Sequence, residues 1–232
     1  MSNPIKSMLK PIARRLGIKR PRRRPIRPAT EVFSDWAAAG RDLGMEKNHA
    51  AAVGEMLAAA LAELGDRPAW TAIDAGCGNG WVVRRLRDTH GCRSATGVDG
   101  SAGMIQKARA VDPTGDYALA DLMTWQPADR ADLVVSMEVL YYFPDPLALL
   151  TRIARTWLKP DGVAVFGIDH YMENESSLSW PDDVGVRMTT WPEARWQSAL
   201  DEAGFARIRT WRAAVHPGHA GTLAMLVRAP RP

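Results

Sequence analysis

Hydrophobic and polar positions along this chain repeat with two different periods, and the two alternate. Glu46 to Leu64 carries apolar side chains at helical spacing with alanines between them, and Gly65 and Pro68 stop the pattern. Short apolar runs then predict strands over Ala69–Asp74, Ser94–Asp99, Tyr117–Ala120, Ala131–Ser136, Gly162–Ile168, Ala206–Arg212 and Thr222–Arg228. Helical patterns fall between them at Gly80–Thr89, Ala102–Ala110, Pro146–Leu158 and Glu193–Ala203. Alternation of this kind specifies an α/β fold, a doubly wound, mainly parallel seven-stranded sheet with helices on both faces. Right-handed crossovers set the sense of winding.

One connection breaks the rhythm. Residues 169–192 are long, polar and rich in turn formers, including Asn174, Pro181 and Gly185. Loops of that length in a compact domain are usually functional or disordered. Trp180 and Trp191 lie within it and favour an ordered lid on the substrate side.

Charge divides the chain in two. Residues 1–30 hold ten basic side chains, no acidic ones and five prolines, which leaves 20 basic and 26 acidic side chains, a net of −6, in residues 31–232. The alkaline isoelectric point therefore belongs to the tail and says nothing about an active-site face. The tail reads as a proline-interrupted, self-repelling disordered arm. Contact with nucleic acid or an anionic surface competes with that reading, as does an organelle-targeting segment. No apolar run approaches the ~20 residues that a membrane-spanning helix needs. Two cysteines without CxxC spacing, Cys77 and Cys92, make neither a disulfide framework nor a zinc site and suit a reducing, cytoplasmic compartment. His216 and His219 lack a third ligand at metal spacing, so no metal is expected.

The most informative local pattern is Asp74-Ala75-Gly76-Cys77-Gly78-Asn79-Gly80, a buried strand running into three alternate glycines and then a helix. Glycine serves where the backbone turns through positive φ or a ligand comes too close for a β-carbon. Open α/β sheets bind ligands at the carboxyl edge of such strands. The pattern is GxGxG rather than the dinucleotide fingerprint GxGxxG, and it lacks the Lys-Ser/Thr of a phosphate loop.

This acid-GxGxG loop resembles the first motif of class I, Rossmann-like S-adenosylmethionine-dependent methyltransferases. The resemblance continues in order through roughly residues 70–168. Asp99-Gly100 ends the second strand, and the family uses a carboxylate there to grip the cofactor's ribose hydroxyls; an ionised carboxylate accepts two hydrogen bonds from a vicinal diol. Asp121-Leu122 matches the acid that receives the adenine amino group. Asp132 to Met137 fits the fourth strand and the turn beneath the cofactor. Leu158-Lys159-Pro160-Asp161-Gly162 is similar to the family's LKPGG turn, with Asp161 in place of its first glycine and Gly162 left for the turn. The resemblance implies S-adenosyl-L-methionine as cofactor, with Asp74, Gly76, Gly78, Gly80, Asp99, Gly100, Asp121, Leu122 and Met137 around it. Asp74 is expected to orient the glycine loop through backbone N–H groups, with contact to the cofactor's amino-acid end.

Methyl transfer from a sulfonium needs alignment and exclusion of water more than a loud catalytic cluster. Candidate acceptor-side groups follow strands four and five: Glu138, Tyr142, Asp169 and His170. Phe33, Trp36, Met45 and His49 are expected to form a flap. A small-molecule acceptor methylated at O, N or S fits one domain with an acidic body. An RNA or protein methyltransferase docked by the basic tail is the alternative, and a non-catalytic cofactor-binding scaffold a second.

Overall fold

The computed structural model describes residues 25–217 and 220–230. Residues 1–24, which hold most of the basic tail, and His219 lie outside them. Thirteen elements are built from these residues: α1 (Ala29–Ala38), α2 (Leu43–Leu64), β1 (Trp70–Ala75), α3 (Trp81–Arg87), β2 (Cys92–Asp99), α4 (Ala102–Val111), β3 (Asp116–Leu119), β4 (Ala131–Met137), α5 (Pro146–Arg152), β5 (Leu158–Ile168), α6 (Glu193–Glu202), β6 (Ala206–Ala213) and β7 (Thr222–Arg228). The strands form one sheet in the order β3-β2-β1-β4-β5-β7-β6. All pairings from β3 to β5 are parallel, and β7 alone runs against its neighbours.

The central strands read as unbroken apolar runs because both faces are covered. On one face α2, α3 and α4 enclose Met56, Val83 and Leu133; on the other, α5 and α6 close over Val134, Trp157 and Phe166. Trp157, Phe166 and Leu133 are fully buried. Each such side chain contributes about 1.5–3 kcal/mol of transfer free energy. The strand order reverses at β1, with β2 on one side and β4 on the other. That switch point opens a crevice at the carboxyl ends of the two strands. Among the described residues no helix is long and apolar enough to cross a membrane.

Three local readings of the sequence differ from the structure. Helix α1 begins at Ala29, inside the stretch assigned to the tail, and Arg27 pairs with Val186 as an isolated bridge. Pro28 stops the extended chain with a fixed φ, and the buried Val32 and Ala37 give the following ten residues a reason to coil. The helix expected over Pro146–Leu158 ends at Arg152, continues as one π-turn over Ile153–Trp157 and becomes β5 at Leu158. Pro160 explains this, because a residue before proline is pushed to extended backbone and Lys159 cannot stay helical. Finally, Asp161 itself turns left-handed at φ 59°, rather than leaving the turn to Gly162. Aspartate tolerates that region, and Asp161 is further held by Arg228 at 3.2 Å.

Candidate active site

The glycine loop is built by the end of the neighbouring strand. The N–H groups of Gly76 and Cys77 donate to the Val98 carbonyl at 2.8 and 3.1 Å. Gly78 N–H donates to Asp99 Oδ2 at 2.9 Å, and Ser101 N–H donates to Asp99 Oδ1 at 2.7 Å. One carboxylate therefore fixes both the loop after β1 and the start of α4. This corrects the role expected for Asp74. Asp99 orients the loop, while Asp74 is 2% exposed and its Oδ2 meets no donor among the described residues.

The glycines divide their work. Gly78 has φ 52°, and a β-carbon there would meet nothing nearer than Met45 at 3.9 Å, so this side of the loop is open. Gly80 has φ 79°, and its β-carbon would strike the Tyr117 ring at 2.5 Å. Gly80 caps α3 and lets the loop pack; it does not line the crevice.

The crevice is a cavity of about 580 Å³ running from Pro28, Thr30 and Phe33 of the α1 region, past Gly76, Gly78, Asp99 and Gly100, to Asp121, Leu122, Met137, Glu138 and Tyr142. A second, small recess of about 40 Å³ adjoins it at Met45, Gly76, Gly78 and Met137 and reaches His49 and Asp74. A larger hollow, about 700 Å³, opens at the opposite edge of the sheet around Thr71, Ser94 and Lys159. It contains none of the glycine loop, and its size reflects a β3–β4 connection that carries no helix.

At the far end of the cavity from Asp99, Glu138 follows β4 in the left-handed region, φ 62°. Such backbone in a non-glycine residue costs energy and gathers at functional sites. Glu138 Oε1 accepts the Asp169 N–H, and Oε2 accepts the Tyr141 hydroxyl at 2.8 Å. Tyr141 also stands 3.3 Å from the Tyr142 hydroxyl. The Phe33 ring meets Tyr142 edge-on, with centroids 5.2 Å apart. Asp169 is 5% exposed; its Oδ2 lies 3.9 Å from His49 Nδ1, and its Oδ1 has no donor among the described residues.

A methyltransferase-domain family matches residues 45–210, which is most of the chain and contains the glycine loop, Asp99, Asp121 and Glu138. The chain belongs to the class I S-adenosylmethionine-dependent methyltransferases. It is 39% identical over 134 residues to a trans-aconitate 2-methyltransferase of Agrobacterium fabrum, covering 58% of this chain and 49% of that one. It is 37% identical over 151 residues to the enzyme of the same name from an Azoarcus species, covering 61% and 59%. The chain thus spans about half the length of the curated relatives it matches. Among solved structures, a complex between the Haloferax volcanii Trm112 methyltransferase activator and a methyltransferase is similar at TM-score 0.76 and 31% identity, covering 89% of this chain and 100% of that one. The N-methyltransferase NodS of Bradyrhizobium japonicum, with S-adenosyl-L-homocysteine, shares the fold at TM-score 0.61 and 19% identity over 77% of this chain and 85% of that one.

The residues of this chain fit the family's cofactor. Asp74 has a buried oxygen in want of a donor; burial and the nearby Asp99 charge push its proton affinity up, to a pKa of about 8. Burial also raises Asp99, against the pull of the two N–H groups it accepts. Glu138 is raised well above the carboxylate range by burial and by Asp169. Three carboxylates held this way favour a ligand bringing N–H or O–H donors and positive charge.

Of the expected site residues, Asp74, Gly76, Gly78, Asp99, Gly100, Asp121, Leu122, Met137, Glu138 and Tyr142 line one cavity or the other, and Asp169 touches Glu138 from behind. Gly80 and His170 do not line either. The His170 ring is fully buried in the 169–192 segment, 3.0 Å from the Ser177 carbonyl and 2.8 Å from Thr190 Oγ1, and stacks on Trp180. That segment packs behind the site, where Thr189 N–H donates to the Tyr141 carbonyl at 2.7 Å, and the cover over the cavity comes from the α1 region instead. Of the expected flap, Phe33, Met45 and His49 line the cavities, while Trp36 packs edge-on against Phe33. Sequence reasoning missed Asp42. It is fully buried, accepts the Asn79 side-chain amide at 3.0 Å and pairs with Lys107, tying the glycine loop to α2 and α4. Its signal, an aspartate just before a helix, is too common to stand out.

Proposed function

We propose that this protein transfers the methyl group of S-adenosylmethionine to a small-molecule acceptor held between α1 and the Glu138–Tyr142 turn. The observation that carries the reading is continuity: one cavity joins the Asp99 end to Glu138 and Tyr142. Gly78, Gly100, Asp99 and Asp121 would hold the nucleoside, and Asp74 with Gly76 the amino-acid end. When bound, the cofactor supplies an activated methyl group on a sulfonium. The chain's own task is then to orient the acceptor and exclude water. Phe33 and Tyr142 favour positive charge near their rings. Asp169 and Tyr141 keep Glu138 aimed, and His170 organises the segment behind it.

Calorimetry with S-adenosylmethionine, followed by transfer of isotopically labelled methyl into a small-molecule extract, tests the reading. Label in RNA or protein and none in the small-molecule pool would refute it. Removing residues 1–24 is expected to leave transfer intact. A macromolecular enzyme docked by its tail would lose activity, with steep salt dependence. Extending the deletion to residues 1–40 is expected to weaken cofactor binding, since Pro28, Thr30 and Phe33 line the cavity.

A further inference from the structure

Resting on the reading above, we propose that the acceptor is a small organic amine with an apolar or aromatic body, methylated on nitrogen, with Glu138 as its counter-charge and proton acceptor. The first ground is the composition of the walls. Among the described residues lining either cavity there is no lysine or arginine. The histidine there, His49, faces Asp169. An anionic acceptor would lie against Glu138, with Asp169 next to it, and meet no lysine or arginine among the described residues, and like charges brought together are disfavoured. The namesake acceptor of the curated relatives is such an acid anion.

The second ground is hydrogen bonding. An ionised carboxylate offers about four lone-pair sites, and an ammonium offers three donors and no acceptor. Glu138 uses one site on each oxygen, on the Asp169 N–H and the Tyr141 hydroxyl. Asp169 Oδ1 is buried with no donor among the described residues. An N–H-bearing ligand meets the unfilled lone pairs of Glu138, which lines the cavity, whereas a carboxylate or thioether brings no donor at all. The third ground is the aromatic wall: the edge-to-face pair of Phe33 and Tyr142 suits a cation with an apolar body. Val139 and Phe143 extend that wall without polar atoms in their side chains.

The step balances with these groups. The ammonium gives one proton to the Glu138 carboxylate. The freed nitrogen lone pair forms the bond to the methyl carbon as the carbon–sulfur bond breaks, leaving its electron pair on sulfur as a neutral thioether. The product leaves as a methylated ammonium, and Glu138 returns its proton to solvent. Burial and Asp169 favour the protonated form of Glu138, the form this step leaves it in, and the ammonium that enters beside it supplies the opposite charge that holds it ionised beforehand.

The test uses the full chain and labelled S-adenosylmethionine. Probes are phenethylamine and other aryl- and alkylamines, their carboxylate counterparts such as 3-phenylpropanoate, trans-aconitate, and extract fractions retained on cation or anion exchangers. Label is expected in amines or the cation-exchange fraction. Glu138→Gln is expected to lower amine turnover by about a hundredfold or more. It should also weaken amine binding, measured calorimetrically with S-adenosylhomocysteine present, by about tenfold, while S-adenosylmethionine affinity stays within about threefold. Label in carboxylates or trans-aconitate overturns the proposal. So does a cation-exchange fraction without label while cofactor binds, or a Glu138→Gln protein that binds and methylates amines like the parent. Failure of the parent to bind S-adenosylmethionine would strike the methyltransferase reading itself.

Discussion

Asp99→Ala probes the site at the point where two functions meet in one side chain. Its oxygens accept Gly78 N–H at 2.9 Å and Ser101 N–H at 2.7 Å, and the remaining lone pairs face the cavity. Hydrogen bonds to a charged group are worth about 1.5–3 kcal/mol each. Losing even one such bond to the ribose is therefore expected to raise the cofactor Kd by roughly 10- to 150-fold. The protein-internal loss adds to this. Gly78 N–H loses its partner, and the loop at φ 52° loses the anchor that keeps it open. About 1–2 kcal/mol of ligand-free stability should go as well, lowering Tm by roughly 2–8 °C in a chain of this size. Asp99→Asn should recover little, because its amide group would face one of the two N–H donors. Calorimetric titration with S-adenosylmethionine, alongside a ligand-free melt, reads both effects. A folded Asp99→Ala protein binding within about threefold of the parent would refute the assignment.

Gly80→Ala forces a β-carbon against Tyr117 at φ 79° and is expected to cost about 2–4 kcal/mol in urea unfolding, as overpacking adds to left-handed strain; an unchanged midpoint would show that the loop can yield. Asp132 lies 2.7 Å from both Arg67 and Lys159, and although burial opposes it, these partners hold its pKa at about 2. Its contribution is present above the ordinary aspartate pKa and lost as pH falls toward 2, so the stability gap between the parent and Asp132→Asn should close over that interval, and a gap constant with pH would count against the ion pairs. His170 is pushed the other way, its pKa lowered by burial. The unfolded chain binds that proton more readily, so stability is lost as pH falls below the ordinary histidine range. Amide exchange over residues 169–192, corrected for intrinsic rates, should rise between pH 7.5 and 5.5, and equal protection at both would reject the coupling.

The strands and the residues of the glycine loop that line the crevice were legible because their signals are local. A run such as Leu133-Val134-Val135 must be covered on both faces, and an acid-GxGxG turn has few uses. The residues that misled take their roles from distant partners. Helix α1 is short and follows prolines; what holds it is Ser34 Oγ, 2.9 Å from Ser101 Oγ and accepting Gly103 N–H at 3.2 Å, together with Arg27 N–H donating to the Gly185 carbonyl. None of these contacts lies near it in sequence. His170 follows Asp169 directly, yet adjacent residues at the end of a strand point to opposite sides, so the Asp169 carboxylate turns toward His49 while the His170 ring turns into the 169–192 segment. Asp74 and Asp99 are alike in sequence, each in the last two residues of a strand and one or two residues ahead of a glycine. Only the packing of β1 on β2 decides which one reaches the loop's N–H groups.

The same packing explains why the crevice accumulates acids. Parallel strands bring β1, β2, β4 and β5 to one edge with their last residues side by side, and here those ends carry Asp74, Asp99, Glu138 and Asp169. In water such a grouping would be solvated; behind α1 and the start of α2 it is not, and the proton affinities of Asp74, Asp99 and Glu138 rise accordingly. Backbone N–H groups satisfy Asp99 and half of Glu138, but Asp74 Oδ2 and Asp169 Oδ1 keep no donor among the described residues. A ligand that is cationic at its reacting centre, with donors on either side, relieves the crowding at the acids that line the cavities, Asp74, Asp99 and Glu138. A sulfonium with an ammonium at one end, meeting an amine acceptor at the other, meets that electrostatic demand along the whole cavity.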